Sequence, residues 1–351
     1  MKQPRPSAIE KFSPTLIEAL AECSYRAAFK RDSDYDSLDR PNTFQTLGII
    51  RHRTSEAIHR GALNAVNLSD VKNEIGELWD RIAEQEAERY ASHWPSEGAT
   101  KVSEWPGYQI ARAKTRHALA ETVKAFRNSK HRQTAPTIEK YFEDPVLGLY
   151  GKPDRVEHHF DGPVIVDIKT GRPHSTIKDS WRRQLLLYAH LVQKNSATLP
   201  KAIVIETANG DRLEETVTEE QIANSTREAK QLVERFNRHL HNPIELAAPS
   251  ADNCQYCPYR IHCEPFWNEM NYDWPSKQVR GHISQEHGPG NASIVTIEPT
   301  HPTDWPTKFV HIGPLRETAP PNAREFRVVN ADPTQDSNRL RIRHDSWTLI
   351  T

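Results

Sequence analysis

The most constraining feature of this 351-residue chain is a six-residue run, Val164-Ile165-Val166-Asp167-Ile168-Lys169. Four of its residues are β-branched, and a short apolar run bounded by turn residues reads as a buried strand. Side chains alternate along a strand. Val164, Val166 and Ile168 therefore share one face, and Ile165, Asp167 and Lys169 the other. A strand that looks buried thus carries an acid and a lysine side by side at its C-terminal end. Upstream, Gly151-Lys152-Pro153-Asp154-Arg155-Val156 lies on the preceding strand, with Asp161-Gly162-Pro163 as the turn between. A hairpin through Gly162 brings Asp154 beside Asp167. Two close carboxylates repel unless a cation sits between them, and hard oxygen ligands suit Mg²⁺ or Mn²⁺. Such a metal would acidify a water and neutralise charge on a phosphate, and Lys169 would orient or help deprotonate that water. For D-x-K by itself, an ordinary hairpin with a solvated ion pair is the alternative.

There are four cysteines, too few for a disulfide scaffold. Cys254, Cys257 and Cys263 stand within ten residues as C-x2-C-x5-C, and Cys23 stands alone near the other end. This is metal arithmetic. Thiolates hold Zn²⁺ or iron–sulfur clusters. Spacing does not separate the two, and His262 offers a spare zinc ligand. Either metal would staple residue 23 to residue 254 across a long loop, which removes unfolded-state entropy.

Net charge is −1, so no overall basicity advertises nucleic acid. No run of eighteen apolar residues exists, and Met1 to Lys11 holds no apolar h-region. The expectation is a chain with no membrane association, working in the cytoplasm. Periodicity predicts helices over 13–28, 43–63, 70–91, 106–131, 179–194 and 219–241, and strands over 137–143, 147–160, 164–169, 202–207 and 213–217. Residues 275–291 read as polar loop. Short strand candidates follow at 293–297, 308–312, 325–329, 340–343 and 347–350. No G-x-x-x-x-G-K-[ST] loop is present, so the chain carries no P-loop motor of its own.

With Pro153-Asp154 and Asp167-Ile168-Lys169 in place, the chain resembles the PD-(D/E)XK nuclease superfamily. The resemblance is to its RecB-like iron–sulfur branch, which includes CRISPR-associated exonucleases and AddB-type nucleases. It covers roughly 12–267. It implies that Asp154 and Asp167 bind metal and that Lys169 assists the attacking water. Two further marks of the family occur here. Gly48, His52 and Glu56 fit its helical G-x-x-x-H-x-x-x-E, which implies that His52 is another ligand. Gln184 and Tyr188 fit its Q-x-x-x-Y helix, which implies a position near the active site and the DNA. A surface histidine and simple core packing are the plain alternatives. For the cysteines the resemblance implies a 4Fe-4S cluster clamped by Cys23, Cys254, Cys257 and Cys263.

The expected architecture is α/β: a restriction-endonuclease-like core, a mixed sheet flanked by helices, with a helical N-terminal region and a small C-terminal all-β appendage. The expected domains are 1–270, a linker at 271–290, and 291–351. Arg172, Lys178, Arg182 and Arg183 flank the lysine strand and are candidates for phosphate contacts. Between 101 and 135, eight Lys and Arg stand against Glu104 and Glu121, a basic face able to track a phosphate backbone or simply to be solvated. In the tail, Arg339, Arg341, Arg343 and Trp347 suit an OB-like nucleic-acid binder, or a packing or partner-docking module. The functional expectation is a metal-dependent DNA nuclease acting on single strands or ends, with helicase or repair and defence proteins as partners. A non-catalytic binding module, a zinc-stapled nuclease and a cluster-sensing protein are the rivals.

Overall fold

The computed structural model describes residues 3–39, 42–93, 101–128, 136–169, 175–207, 211–275, 277–288, 293–315, 322–336, 338–342 and 346–351. The chain divides into two units. One comprises Ile9–Glu18 and Arg40–Arg235, the other Met1–Ala8, Ala19–Asp39 and Phe236–Thr351.

The first unit begins with the start of α1 (Pro14–Lys30), where Ser13 Oγ accepts from the Leu16 amide at 3.2 Å and Pro14 takes the first turn. Helix α2 (Thr43–Ala57) opens on a capping box: Asn42 Oδ1 accepts from the Gln45 amide at 2.8 Å, and Gln45 Oε1 from the Asn42 amide at 3.0 Å. Helices α3 (Val71–His93) and α4 (Tyr108–Asn128) complete a helical layer. Leu47 and Ile50 of α2 pack there against Ile75, Trp79, Tyr108 and Leu119. Burying side chains of this size stabilises by about 1.5–3 kcal/mol each.

Seven strands follow: β1 (Thr137–Ile138), β2 (Phe142–Asp144), β3 (Leu149–Gly151), β4 (Arg155–Glu157), β5 (Val164–Lys169), β6 (Ala202–Thr207) and β7 (Arg212–Thr216). Helix α5 (Asp179–Ser196) lies between β5 and β6, and α6 (Glu219–Arg238) follows β7. The main sheet runs β1-β4-β5-β6-β7, while β2 and β3 form a separate hairpin. Among the described strands of this sheet only β5 and β6 pair in parallel, and a parallel pair needs a crossover of helical length, which α5 supplies. Leu185, Leu187, Leu191 and Val192 of α5 are fully buried.

In the second unit α1 is interrupted at Cys23, whose φ and ψ of −160° and 99° are extended. The short helices α7 (Ala251–Cys254) and α8 (Glu264–Glu269) frame the cysteine segment. Six strands follow: β8 (Lys277–His287), β9 (Ile294–His301), β10 (Val310–Gly313), β11 (Glu325–Pro333), β12 (Arg339–Arg341) and β13 (Trp347–Ile350). Strand β12 pairs with both β10 and β11, so the order β8-β9-β10-β12-β11 closes on β8. The β10–β12 pair is parallel and the others antiparallel. This is a five-stranded Greek-key barrel of OB topology, with β13 added outside β11. Val279, Val295, Ile297, Val310, Ile312, Phe326, Val328 and Leu340 fill it.

The stretch expected as a linker, 271–290, contains the first barrel strand. It reads as loop because only Val279 and Ile283 are apolar inward positions, separated by Gly281. A Cβ on Gly281 would come within 2.3 Å of the Glu298 carbonyl oxygen, and the register shifts at that point. The close approach of two strands, invisible in sequence, demands glycine there.

Candidate functional site

In the first unit, strands β4 and β5 pair with Arg155 opposite Val166, so Asp154 and Asp167 come next across. The Asp154 carboxylate accepts a hydrogen bond from the Ile168 amide at 2.7 Å, which fixes it. Asp167 and Lys169 share the β5 face turned to α5. Lys169 Nζ lies 2.9 Å from Asp167 Oδ2 and donates to Gln184 Oε1 at 3.1 Å. The approach to Asp167 is an ion pair rather than a directed hydrogen bond, and Oδ2 is buried without a hydrogen-bond donor. One turn along α5, Tyr188 is buried with its hydroxyl beside Gln184. Its ring packs so closely on β3 that a Cβ on Gly151 would come within 2.8 Å of it. Glycine at 151 is thus a packing requirement.

Helix α2 brings His52, whose Nδ1 is 3.5 Å from Asp154 Oδ2. Glu56, one turn on, is ion-paired to Arg60. Sequence reasoning did not find Glu139. Among the described residues, His52, Glu139 and Asp154 are the one group of three potential ligands whose donor atoms lie within 4.8 Å of one another. Glu139 has a left-handed φ of 47°, an uncommon conformation for a non-glycine residue. Its amide donates to the Asp154 carbonyl at 3.3 Å. A single acid after a two-residue strand gives no periodic signal; only the pairing of Thr137 with Val156 carries it to the site. A cavity of about 340 Å³ opens here, lined by Ile49, His52, Arg53, Glu56, Glu139 and Asp154.

The electrostatics are those of crowded acids. Burial first, then Asp167, pushes the Asp154 carboxyl up. Burial, with Asp154 and Glu56, raises Glu139 to about 7. Burial and Asp167 raise the Tyr188 hydroxyl. These crowded acids fit a hard divalent cation by donor chemistry and by their mutual repulsion. A larger cavity of about 810 Å³ between α3 and α4 lacks this character. Its Asp80 is taken up by Tyr108 at 2.7 Å and by Arg112 at 2.6 and 2.7 Å.

In the second unit, the chain beside Cys23 meets the chain beside Cys254: Asn253 Nδ2 donates to the Glu22 carbonyl at 2.8 Å. Phe29 stacks on Tyr259 with centroids 5.3 Å apart. The four thiols are free, Cys254 buried and the others half-buried. Burial is the main cause that pushes Cys254, Cys257 and Cys263 up, Cys257 to about 12, and Cys23 lies near enough to add to all three. No three of the sulfurs close to within 4.8 Å of one another. His262 sits edge-on to Tyr35 at 5.6 Å.

The expected phosphate contacts fare unevenly. Arg182 is committed to Glu215 at 2.7 and 2.8 Å and to Asp179. Arg183 is held by Glu18 at 3.3 Å and Glu228 at 3.2 Å. Lys178 Nζ rests over the Trp181 ring, 5.1 Å from its centroid, and Arg172 lies outside the described residues. On α4, Arg112 is spent on Asp80 and Arg127 on the carbonyls of Leu63 and Val66; Lys130 and Arg132 lie outside the described residues. No described helix is long and apolar enough to cross a membrane.

A mixed sheet with a crossover helix, and paired acids with a lysine at the end of a central strand, define a restriction-endonuclease-like fold. The sequence profile of the PD-(D/E)XK nuclease superfamily matches residues 11–264, and the chain belongs to that superfamily. No curated protein sequence matches it. Among solved structures it is similar to a candidate exonuclease from Eubacterium rectale, at 12% identity, with 76% of this chain and 91% of that one covered and a TM-score of 0.38. Another is SSO0001, at 14% identity, with 62% and 97% covered and a TM-score of 0.28.

Proposed function

We propose that this chain is a metal-dependent DNA nuclease, acting as an exonuclease on single strands or DNA ends and stapled by a 4Fe-4S cluster. The observation that carries the catalytic reading is the group His52, Glu139 and Asp154 set beside the Asp167–Lys169 pair. These four ligand side chains would hold Mg²⁺ or Mn²⁺. Bound there, the cation supplies an acidified water and neutralises charge on the scissile phosphate. The protein's own part is positioning. Lys169, clamped between Asp167 and Gln184, directs its ammonium at the attacking water. Tyr188, its proton held firmly, sets Gln184 and through it Lys169. The backbone amide of Ile168 keeps Asp154 from turning away.

Four converging free thiols support the staple. Zinc held by the same thiolates is the alternative, and visible absorbance of the purified protein separates the two. Free thiols also suit a reducing cytoplasm. A helicase or another repair or defence protein would supply the substrate strand. Cleavage of end-blocked and open single- and double-stranded DNA with Mn²⁺, with His52→Ala as comparison, tests the reading. Metal-dependent loss of open single strands is expected. Equal cleavage in EDTA, or an unchanged Mn²⁺ titration for His52→Ala, sinks it.

A further inference from the structure

The barrel is covered on one side. On the outer face of β8 and β11, Val329 packs with Ile261, Phe266 and Trp267. Arg280 and Arg327 hold Glu264 at 2.7 and 3.5 Å. The outer face of β9, β10 and β12 is open to solvent at Glu298, Arg339 and Arg341. Register sets its side chains in rows. Thr296, His311 and Arg339 form one row, and Gly313 and Arg341 stand in the next. Thr296 Oγ1 is 2.9 Å from His311 Nδ1, which fixes the imidazole. Leu340 points into the barrel, so the arginines on either side of it point out, about 6.6 Å apart along the strand. Among the described residues neither guanidinium has an ion pair. At the entrance to β10, Phe309 is exposed, with Lys308 Nζ 5.3 Å from its ring centroid. The acids nearby are Glu298 and Asp332, the latter opposite Arg341.

Barrel topology alone names no ligand; these side chains do. Unpaired guanidinium groups on alternate positions of one strand suit successive phosphates, and an exposed ring suits a base with a free face, which duplex DNA lacks. We propose that this face binds single-stranded DNA, with Arg339 and Arg341 on the backbone and Phe309 under a base. The inference deepens the nuclease reading and takes its substrate class from it.

The test is anisotropy of a labelled oligothymidine with the full chain in EDTA, where nothing is cleaved. Replacing both arginines (Arg339→Gln, Arg341→Gln) should weaken binding at least tenfold. It should also flatten the dependence of log K on log salt by about 1.4, since each lost single-strand phosphate contact removes about 0.7. Phe309→Ala should weaken binding about fivefold or more. The paired lysine variants should keep most of the affinity, and none should alter the melting temperature. Unchanged affinity in the glutamine pair overturns the proposal. So does an equal loss on a hairpin duplex, or a preference for oligouridine over oligothymidine. Cleavage by Asp167→Ala reports separately on the nuclease reading. If that variant still cuts while the barrel variants lose DNA, the barrel inference stands and the active-site assignment falls.

Discussion

At the C-terminal end of β5, carboxylates crowd around an open cavity; around Cys23, thiols sit among aromatic rings. Both regions collect side chains from distant parts of the chain. Burial and the neighbouring carboxylates raise the proton affinity of Asp154 and Glu139. Like charges held this close are a standing cost that a folded chain tolerates where a ligand will relieve it. The thiols carry no such repulsion while protonated, and their neighbours Phe29, Tyr259 and Phe266 are buried core residues. The first region keeps carboxylates in mutual repulsion around a cavity; the second packs Cys254 and Cys263 as part of a core.

The largest expected effect breaks the two apart. Asp167→Ala or Lys169→Ala should lower metal-dependent cleavage on the order of 10³-fold, as when a group acting on developing charge is lost, while leaving melting and visible absorbance unchanged. A collapsed fold would erase the distinction. Cys23→Ser should do the reverse. A structural metal's binding free energy is folding free energy, so several kcal/mol of stability should go, and with it colour and solubility. Wild-type melting and absorbance in this variant would remove Cys23 from the site.

Gly151→Ala is smaller and more local. The new methyl meets Tyr188 at 2.8 Å, and overpacking of this kind costs about 1–3 kcal/mol. Cleavage should fall with it because Tyr188 positions Gln184; a variant that melts lower yet cuts normally would confine Tyr188 to packing.

The smallest effect is a pH dependence. Glu139 holds its proton to about 7 in the fold against an ordinary 4.5. Between those values the folded chain binds more protons than the unfolded one, so metal-free stability should fall as pH rises through that window. Mn²⁺ affinity should rise over the same range because metal displaces the proton. Glu139→Gln should flatten both curves, and an unaltered Mn²⁺ curve would return Glu139 to the background.

Much of the candidate site was legible because it is local. Asp167 and Lys169 share a face by strand alternation, His52 and Glu56 by helical pitch, and a hairpin brings Asp154 across. Less legible were the partners of charged groups. Arg182 and Arg183 look available in sequence, yet Glu215 and Glu228, 33 and 45 positions away, take them up in space.

The sequence by itself determined the strand that ends in an acid and a lysine, its acidic neighbour, the helical faces carrying His52 and Gln184, and the cysteine spacing. Each rests on a period of two or 3.6 residues, or on a ligand rule that spans a few positions. Tertiary structure alone decided that Glu139 joins His52 and Asp154, since β1 must first pair with β4. It alone decided that α1 breaks at Cys23, whose backbone is extended there. It alone closed the barrel, because β12 must find both β10 and β11, and such pairings are set by packing across the whole domain rather than by any local run of residues.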